Sequence, residues 1–162
     1  MSSFRFEANN INDIPDASGM RIGIILTEWN SHITNKLYES AKSTLLKYGV
    51  SPSNIIVRYV PGSFELIYGS SQMIKSRLVD AIITLGCVIR GETPHFDYIC
   101  EGTTQGLASL NSKGDIPVIN GVLTVNDEQQ AVNRTNGKTG NKGEEFAITA
   151  IKMVDFAWQF KK

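Results

Sequence analysis

Arg21-Ile22-Gly23-Ile24-Ile25-Leu26-Thr27 is a short and almost wholly apolar run, of the kind that forms a strand buried on both faces. A segment with apolar side chains at helical spacing follows it, from Ser31 to Lys47. Ser31 can cap the start of this helix and Gly49 can end it. The run therefore predicts the first strand of an alternating α/β chain.

The rest of the chain repeats this alternation. The pattern predicts three more strands, which cover Ile55–Val60, Val79–Cys87 and Ile116–Leu123. Helices are predicted over Phe64–Ile74, from Phe96 to Leu110, over Asp127–Asn133 and through Phe146, Ile151, Val154 and Trp158. Four strands that alternate with helices imply a four-stranded parallel sheet covered on both faces. Such a sheet binds its ligand in the crevice at the carboxyl ends of its strands.

Size and composition fit one ordinary globular domain. The chain has 162 residues, of which 41% are hydrophobic and 20% charged. Its 16 Lys and Arg balance its 16 Asp and Glu, which argues against nucleic acid or an anionic membrane as a partner. It has no apolar leader and no membrane-spanning run, so we expect a cytoplasmic protein. Cys87 and Cys100 lie in apolar runs and are interpreted as buried free thiols.

We divide the chain into an N-terminal arm, residues 1–20, and one α/β domain, residues 21–162. The arm is polar and has few core-forming residues. We expect it to pack on a neighbouring copy and add to the edge of that copy's sheet.

Two of the predicted strands end in turns that carry candidate ligand groups. Trp29 and Asn30 follow the first strand, where the ring is either a platform for a flat heteroaromatic ligand or a side chain folded onto the next helix. Ser63 and Glu65 follow the second strand after Pro61-Gly62. Glu65 either accepts hydrogen bonds from a ligand or only favours the helix dipole.

The third strand ends in the most unusual stretch, Arg90-Gly91-Glu92-Thr93-Pro94-His95. Gly91 to Thr93 place backbone N–H groups and a hydroxyl just before a helix, an arrangement that suits a phosphate. His95 opens that helix, and a histidine beside a phosphate site favours proton transfer over a surface role. Later in the chain, Gly137 to Gly143 form a glycine-rich basic loop without Walker spacing. No metal-ligand spacing and no G-x-S-x-G elbow occurs in the sequence, and we expect no metal and no cofactor.

Four of these segments together resemble the lumazine synthase family. They are Val60-Pro61-Gly62-Ser63-Phe64-Glu65-Leu66, Gly86-Cys87-Val88-Ile89-Arg90-Gly91-Glu92-Thr93-Pro94-His95-Phe96-Asp97-Tyr98, Pro117-Val118-Ile119-Asn120-Gly121-Val122-Leu123-Thr124 and Gly140-Asn141-Lys142-Gly143-Glu144-Glu145. The resemblance runs from about Arg21 to Trp158. It implies a three-layer, flavodoxin-like α/β fold and the penultimate step of riboflavin biosynthesis. In that step 5-amino-6-(ribitylamino)uracil and 3,4-dihydroxy-2-butanone 4-phosphate condense to 6,7-dimethyl-8-ribityllumazine, without a metal or redox cofactor.

The resemblance also implies roles for individual residues. His95 would transfer protons, and Trp29 would stack on the pyrimidine. The remaining pyrimidine and ribityl contacts would be Asn30, Ser63, Phe64, Glu65, Cys87, Val88, Ile89 and Asn120, although the family commonly has Phe or Tyr at the last of these. Glu92, Thr93 and Arg134 would hold the phosphate, supported by Lys142 and Glu145.

The implied assembly is a homopentamer, or a decamer or sixty-chain icosahedral shell built from pentamers. Active sites would lie between adjacent subunits, and riboflavin synthase is a candidate partner. Three other functions stay open on the sequence alone: a riboflavin synthase of the archaeal type, a flavodoxin-like flavin-binding module, and a shell protein that serves as a scaffold.

Overall fold

The computed structural model describes residues 13–135 and 140–161. Its strands are β1 (Ile22–Thr27), β2 (Ile55–Val60), β3 (Ala81–Ile89) and β4 (Val118–Val125). Its helices are α1 (Ser31–Lys47), α2 (Leu66–Ser76), α3 (His95–Ser112), α4 (Glu128–Asn133) and α5 (Lys142–Trp158), with a short 3-10 helix at Pro52–Asn54. All neighbouring strands are parallel, and their order in the sheet is β2-β1-β3-β4. The predicted parallel α/β fold is confirmed.

The sheet has a hydrophobic core on each face, which makes three layers. Ile24 and Leu26 of β1 face a core shared with α1 and α5, whereas Ile25 between them faces a core shared with α2 and α3. Side chains of a strand alternate between its two faces, and all six residues of β1 are buried. The apolar run of β1 therefore reflects its position in the middle of a sheet covered on both sides.

Two helix starts differ from the prediction. Asn30, and not Ser31, is the N-cap of α1, in a left-handed conformation with φ 56° and without a side-chain capping bond. Helix α2 begins at Leu66, because the residues before it form a tight turn in which the N–H groups of Glu65 and Leu66 donate to the carbonyls of Gly62 and Ser63. Phe64 is consequently half exposed and does not belong to the apolar face of α2.

Several smaller boundaries also shift. Strands β3 and β4 each begin and end two residues later than predicted. Gly143, predicted in a loop, lies in the first turn of α5, where a Cβ would be 2.4 Å from the carbonyl oxygen of Leu37 in α1. Glycine at this position permits the close approach of α5 to α1. Cys87 is buried as predicted, but Cys100 is only partly buried.

The end of the predicted arm packs on its own chain. Ala17 and Met20 are fully buried in the core, and the N–H of Ala17 donates to the carbonyl of Tyr48 at 2.9 Å. Residues 1–12 of the arm, and residues 136–139 of the glycine-rich loop, lie outside the described residues. No helix within residues 13–135 and 140–161 has the length and apolar character needed to cross a bilayer.

Candidate active site

A cleft of about 490 Å³ opens at the carboxyl ends of β1, β2 and β3. Strand β3 pairs with β1 only as far as Leu85 opposite Leu26, but it continues along β4 to Ile89 opposite Val125. The cleft lies above the end of β1, at the point where the strand order reverses, which is the expected ligand position in this architecture. Its lining residues are Thr27, Trp29, Asn30, Ser63, Phe64, Glu65, Cys87, Val88, Ile89, His95 and Ile99.

The Trp29 ring rests on the main chain of the β2–α2 turn. A Cβ added at Gly62 would lie 2.5 Å from both Cε3 and Cζ3 of the ring, far closer than such atoms approach in proteins. The N–H of Trp29 donates to the carbonyl of Pro61 at 3.1 Å. Trp29 nevertheless keeps 67% of its surface exposed. The ring therefore offers a supported, flat apolar surface to the cleft.

Asn30 joins the β1–α1 turn to the end of β3. Its side-chain Nδ2 donates to the carbonyl of Cys87 at 2.9 Å. The left-handed backbone of Asn30, which asparagine adopts more readily than most residues, directs the side chain towards β3 and away from the α1 N-terminus. Asn30 also lines the cleft, so its predicted contact with a ligand stays a prediction beside this bond within the chain.

Ser63 and Phe64 reach the cleft because glycines stand opposite them. A Cβ at Gly86 in β3 would lie 2.7 Å from the buried Ser63 Oγ, and one at Gly102 in α3 would lie 3.0 Å from the Phe64 ring. Glu65 is exposed at the start of α2. Sequence reasoning missed the supporting role of Gly62, Gly86 and Gly102, since a glycine reveals a close approach only when its neighbour in space is known.

Cys87 contributes a thiol that is protonated at neutral pH. Burial, together with the nearby negative charge of Glu128, raises the pKa of this thiol to about 11. A protonated thiol is a poor nucleophile. This is consistent with the prediction that the segment Cys87 to Ile89 contacts a ligand through its backbone.

His95 is the first residue of α3 and lines the cleft, together with Ile99 one turn later. Ile99 was not among the predicted site residues. Glu92 and Thr93 are exposed in the loop before α3 but do not line the cleft. We name two regions by their predicted ligand groups. The ring end is the part of the cleft lined by Trp29, Asn30, Ser63, Phe64, Glu65 and residues 87–89. The phosphate end is His95, which lines the cleft, together with the preceding loop 91–93, which does not.

The remaining predicted residues lie elsewhere on the chain. Asn120 and Glu145 line a second cavity, of about 390 Å³, with Phe146 and Met153. Lys142 Nζ contacts the Glu145 carboxylate at 2.6 Å, and its backbone N–H donates to the carbonyl of Arg134 at 3.0 Å. Arg134 Nη1 in turn donates to the carbonyl of Gln130 at 2.8 Å. The structure thus collects this second group, Asn120, Arg134, Lys142 and Glu145, outside the cleft that holds Trp29 and His95.

The described residues offer no metal centre to either cavity. Within residues 13–135 and 140–161, no three His, Cys, Asp or Glu side chains come close enough to hold an ion together.

Comparison with known proteins identifies the family. The sequence pattern of the 6,7-dimethyl-8-ribityllumazine synthase family matches residues 19–157. A 6,7-dimethyl-8-ribityllumazine synthase from Phocaeicola vulgatus is 59% identical over 153 residues, which cover 94% of this chain and 91% of the relative. The enzyme of the same name from Bacteroides fragilis is 56% identical over 143 residues, covering 88% of this chain and 100% of the relative. The chain belongs to the 6,7-dimethyl-8-ribityllumazine synthase family.

Proposed function

We propose that this chain catalyses the condensation of 5-amino-6-(ribitylamino)uracil with 3,4-dihydroxy-2-butanone 4-phosphate to 6,7-dimethyl-8-ribityllumazine. One observation carries the proposal: a single cleft at the switch point of the sheet contains both the exposed Trp29 ring and His95. A platform for a flat ring and a proton-transfer group in one cleft suit a reaction of a bound heteroaromatic amine.

The ring end of the cleft suits the pyrimidine. The uracil ring stacks on Trp29, whose other side rests on Gly62. The Ser63 hydroxyl and the Glu65 carboxylate supply polar contacts, and the backbone of Cys87 to Ile89 supplies hydrogen bonds at the ring edge. Phe64, half exposed at the same wall, covers the ribityl chain.

The phosphate end suits the chemistry that follows. The amine of the pyrimidine attacks the ketone, and the resulting carbinolamine loses water to give a Schiff base. Loss of a proton from carbon then expels phosphate, and ring closure with a second dehydration gives the product. His95 exchanges protons in these steps, and general acid–base help of this kind typically accelerates a reaction about 10²–10⁴-fold.

We infer that a second copy of the chain completes each site. Arg134, with a planar and always charged guanidinium, is the strongest phosphate ligand among the predicted residues, yet it lies outside the cleft of its own chain with Lys142 and Glu145. A neighbouring copy that brings its Arg134 to the loop 91–93 would close the phosphate end. This arrangement agrees with a cyclic homopentamer, alone or as the unit of a decamer or sixty-chain shell.

The reaction itself is tested by mixing the purified chain with both substrates. We expect 6,7-dimethyl-8-ribityllumazine and inorganic phosphate in equal amounts. Riboflavin formed from 6,7-dimethyl-8-ribityllumazine alone would instead support the archaeal-type riboflavin synthase. A tightly bound flavin without turnover would support the flavin-binding module, and intact shells without turnover would support the scaffold.

The shared site is tested by mixing two impaired variants, assayed at a ketone phosphate concentration well below the KM of Arg134→Ala. His95→Ala and Arg134→Ala chains are refolded together in equal amounts. If His95 and Arg134 of one site come from different chains, about one quarter of the sites receive both native residues by random mixing. Activity near one quarter of wild type is the expected result, whereas activity no higher than that of the separate variants would place both residues on one chain.

We propose that residues 1–12 of the arm add to an open edge of a neighbour's sheet. Strand β2 is an edge strand, and its Arg58 and Tyr59 are exposed. Deletion of residues 1–12 should lower the sedimentation coefficient or the thermal stability of the oligomer. A shortened chain with unchanged sedimentation and stability would contradict this role.

A further inference from the structure

The loop that precedes His95 is held only at its two ends. Among the described residues, no hydrogen bond or ion pair anchors Gly91, Glu92 or Thr93, and a Cβ at Gly91 would meet no atom within 4 Å. Its amino-terminal end is fixed by the N–H of Arg90, which donates to the carbonyl of Val125 at 2.9 Å. The position of the loop therefore depends on the side-chain contacts that hold Arg90 against the first turn of α3.

The side chain of Arg90 makes that connection. Nη2 and Nη1 donate to the two carboxylate oxygens of Asp97 at 3.0 and 3.3 Å. The guanidinium also lies 4.2 Å from the centre of the Phe96 ring, and Nε donates to Asn126 Oδ1 in the β4–α4 turn at 3.1 Å. One planar group thus joins the end of β3, the β4–α4 turn and the first turn of α3.

His95 lies inside the segment that Arg90 closes. It immediately precedes Phe96 and Asp97, both contacts of the guanidinium. We propose that Arg90 is a positioning residue, which sets the orientation of His95 in the cleft through Phe96 and Asp97. This inference rests on the proposed function, because it assigns the proton-transfer role to His95.

The geometry of the guanidinium is what the role requires. A bidentate bond to a carboxylate together with stacking on a ring fixes both the direction and the plane of the contact. Lysine keeps the charge but provides neither the fork nor the flat surface. A displacement of a catalytic group by about 1 Å can cost on the order of 100-fold in rate. The ion pair between Arg90 and Asp97 is exposed, with 43% and 59% of the two side chains accessible. Its contribution to the stability of the fold is therefore small.

The test compares Arg90→Lys with a matched control. Arg21 makes a similar two-nitrogen contact to Asp80, at 3.2 and 2.8 Å, but at the opposite end of the sheet. Arg90→Lys should lower kcat about 10- to 100-fold with the pyrimidine KM changed less than twofold, whereas Arg21→Lys should leave both constants unchanged. Equal losses of kcat in the two variants would overturn the proposal.

A second background separates positioning from a general structural effect. In His95→Ala, the residue that Arg90 orients is gone, so Arg90→Lys should lower the residual kcat less than twofold. A loss of the full size in that background would show that Arg90 does not act through His95. A wild-type chain that forms no lumazine would instead remove the proposed function, and this inference with it.

Discussion

The two ends of the cleft are built in different ways. At the ring end, two turns and the end of β3 support one another: Trp29 rests on Gly62, the Asn30 amide donates to Cys87, and Ser63 fits against Gly86. At the phosphate end, the loop 91–93 makes no hydrogen bond or ion pair among residues 13–135 and 140–161, and the strongest cation predicted for it, Arg134, lies elsewhere on the chain.

This difference indicates what each end can do within one chain. If the pyrimidine binds at the ring end as proposed, the contacts already present there limit the entropy lost on binding. The residues assigned to the phosphate end, the loop 91–93 and His95, include no lysine or arginine. We therefore expect variants at the two ends to separate kinetically, with ring-end changes acting on the pyrimidine and phosphate-end changes acting on the ketone phosphate and on turnover.

The largest effect should come from His95→Ala. We expect kcat to fall about 10²–10⁴-fold, because the variant loses general acid–base help, while the KM of the pyrimidine changes little. The residual rate should come from holding both substrates together. Steady-state kinetics over a range of pH measures this. His32→Ala is the control, since His32 contacts Glu128 at 2.7 Å and does not line the cleft. Full kcat in His95→Ala across that range would move the proton-transfer role to another group.

Arg134→Ala should have the next largest effect. Hydrogen bonds to a charged group contribute about 1.5–3 kcal/mol, which corresponds to a rise of about 10- to 150-fold in the KM of the ketone phosphate. Binding of the pyrimidine alone should stay within twofold of wild type. Arg134→Lys should recover part of the loss through its charge. Equal loss of pyrimidine affinity would contradict the separation of the two ends.

Trp29→Ala should weaken the pyrimidine specifically. Base–aromatic stacking contributes about 1–3 kcal/mol, so the dissociation constant should rise about 5- to 150-fold, with the KM of the ketone phosphate little changed. Titration in a Trp158→Phe background leaves Trp29 as the reporter, and ligand binding should quench its fluorescence. An unchanged signal in that background would exclude stacking on Trp29.

Gly62→Ala provides a second test of the same platform. A methyl group there would overlap the Trp29 ring, so this change should weaken pyrimidine binding in the same direction. Because both changes act on one ring position, the double variant should bind no more weakly than Trp29→Ala alone. Additive losses would mean that Gly62 supports the site by another route.

The smallest effect on catalysis should come from the opposite end of the sheet. Burial raises the pKa of Asp80, but hydrogen bonds from the side chain and backbone of Arg21 lower it further, so its pKa lies below the ordinary value. Its stabilising contribution is therefore complete above about pH 4 and is lost as the pH falls through the lowered pKa. Asp80→Asn should reduce the free energy of unfolding by about 1–3 kcal/mol at pH 7, flatten the acid side of the stability profile and leave both KM values unchanged.

The sequence predicted the fold well because periodicity carries most of the information about a buried parallel sheet. The run of β1 and the helical spacing of α1 identified both elements, and strand ends located the cleft. It failed at Phe64, where a tight turn delays α2, and at Asn30, which replaced Ser31 as the cap of α1. Those outcomes depend on contacts with β3 and α3, which lie far away in sequence. The separation of Asn120 and Arg134 from the cleft is likewise a property of three-dimensional placement, and spacing along the chain does not encode it.

The contact between Trp29 and Gly62 also restricts the order in which the cleft could change over generations. While a bulky ring occupies position 29, any side chain at position 62 collides with it, because a Cβ would stand 2.5 Å from two ring carbons. A lineage that exchanged the indole for a smaller residue would first release position 62, and only then could that turn diversify. In the reverse order, a side chain introduced first at position 62 would displace the indole ring while Trp29 was still present. A substitution at position 29 must therefore come before one at position 62 if the cleft is to change its shape.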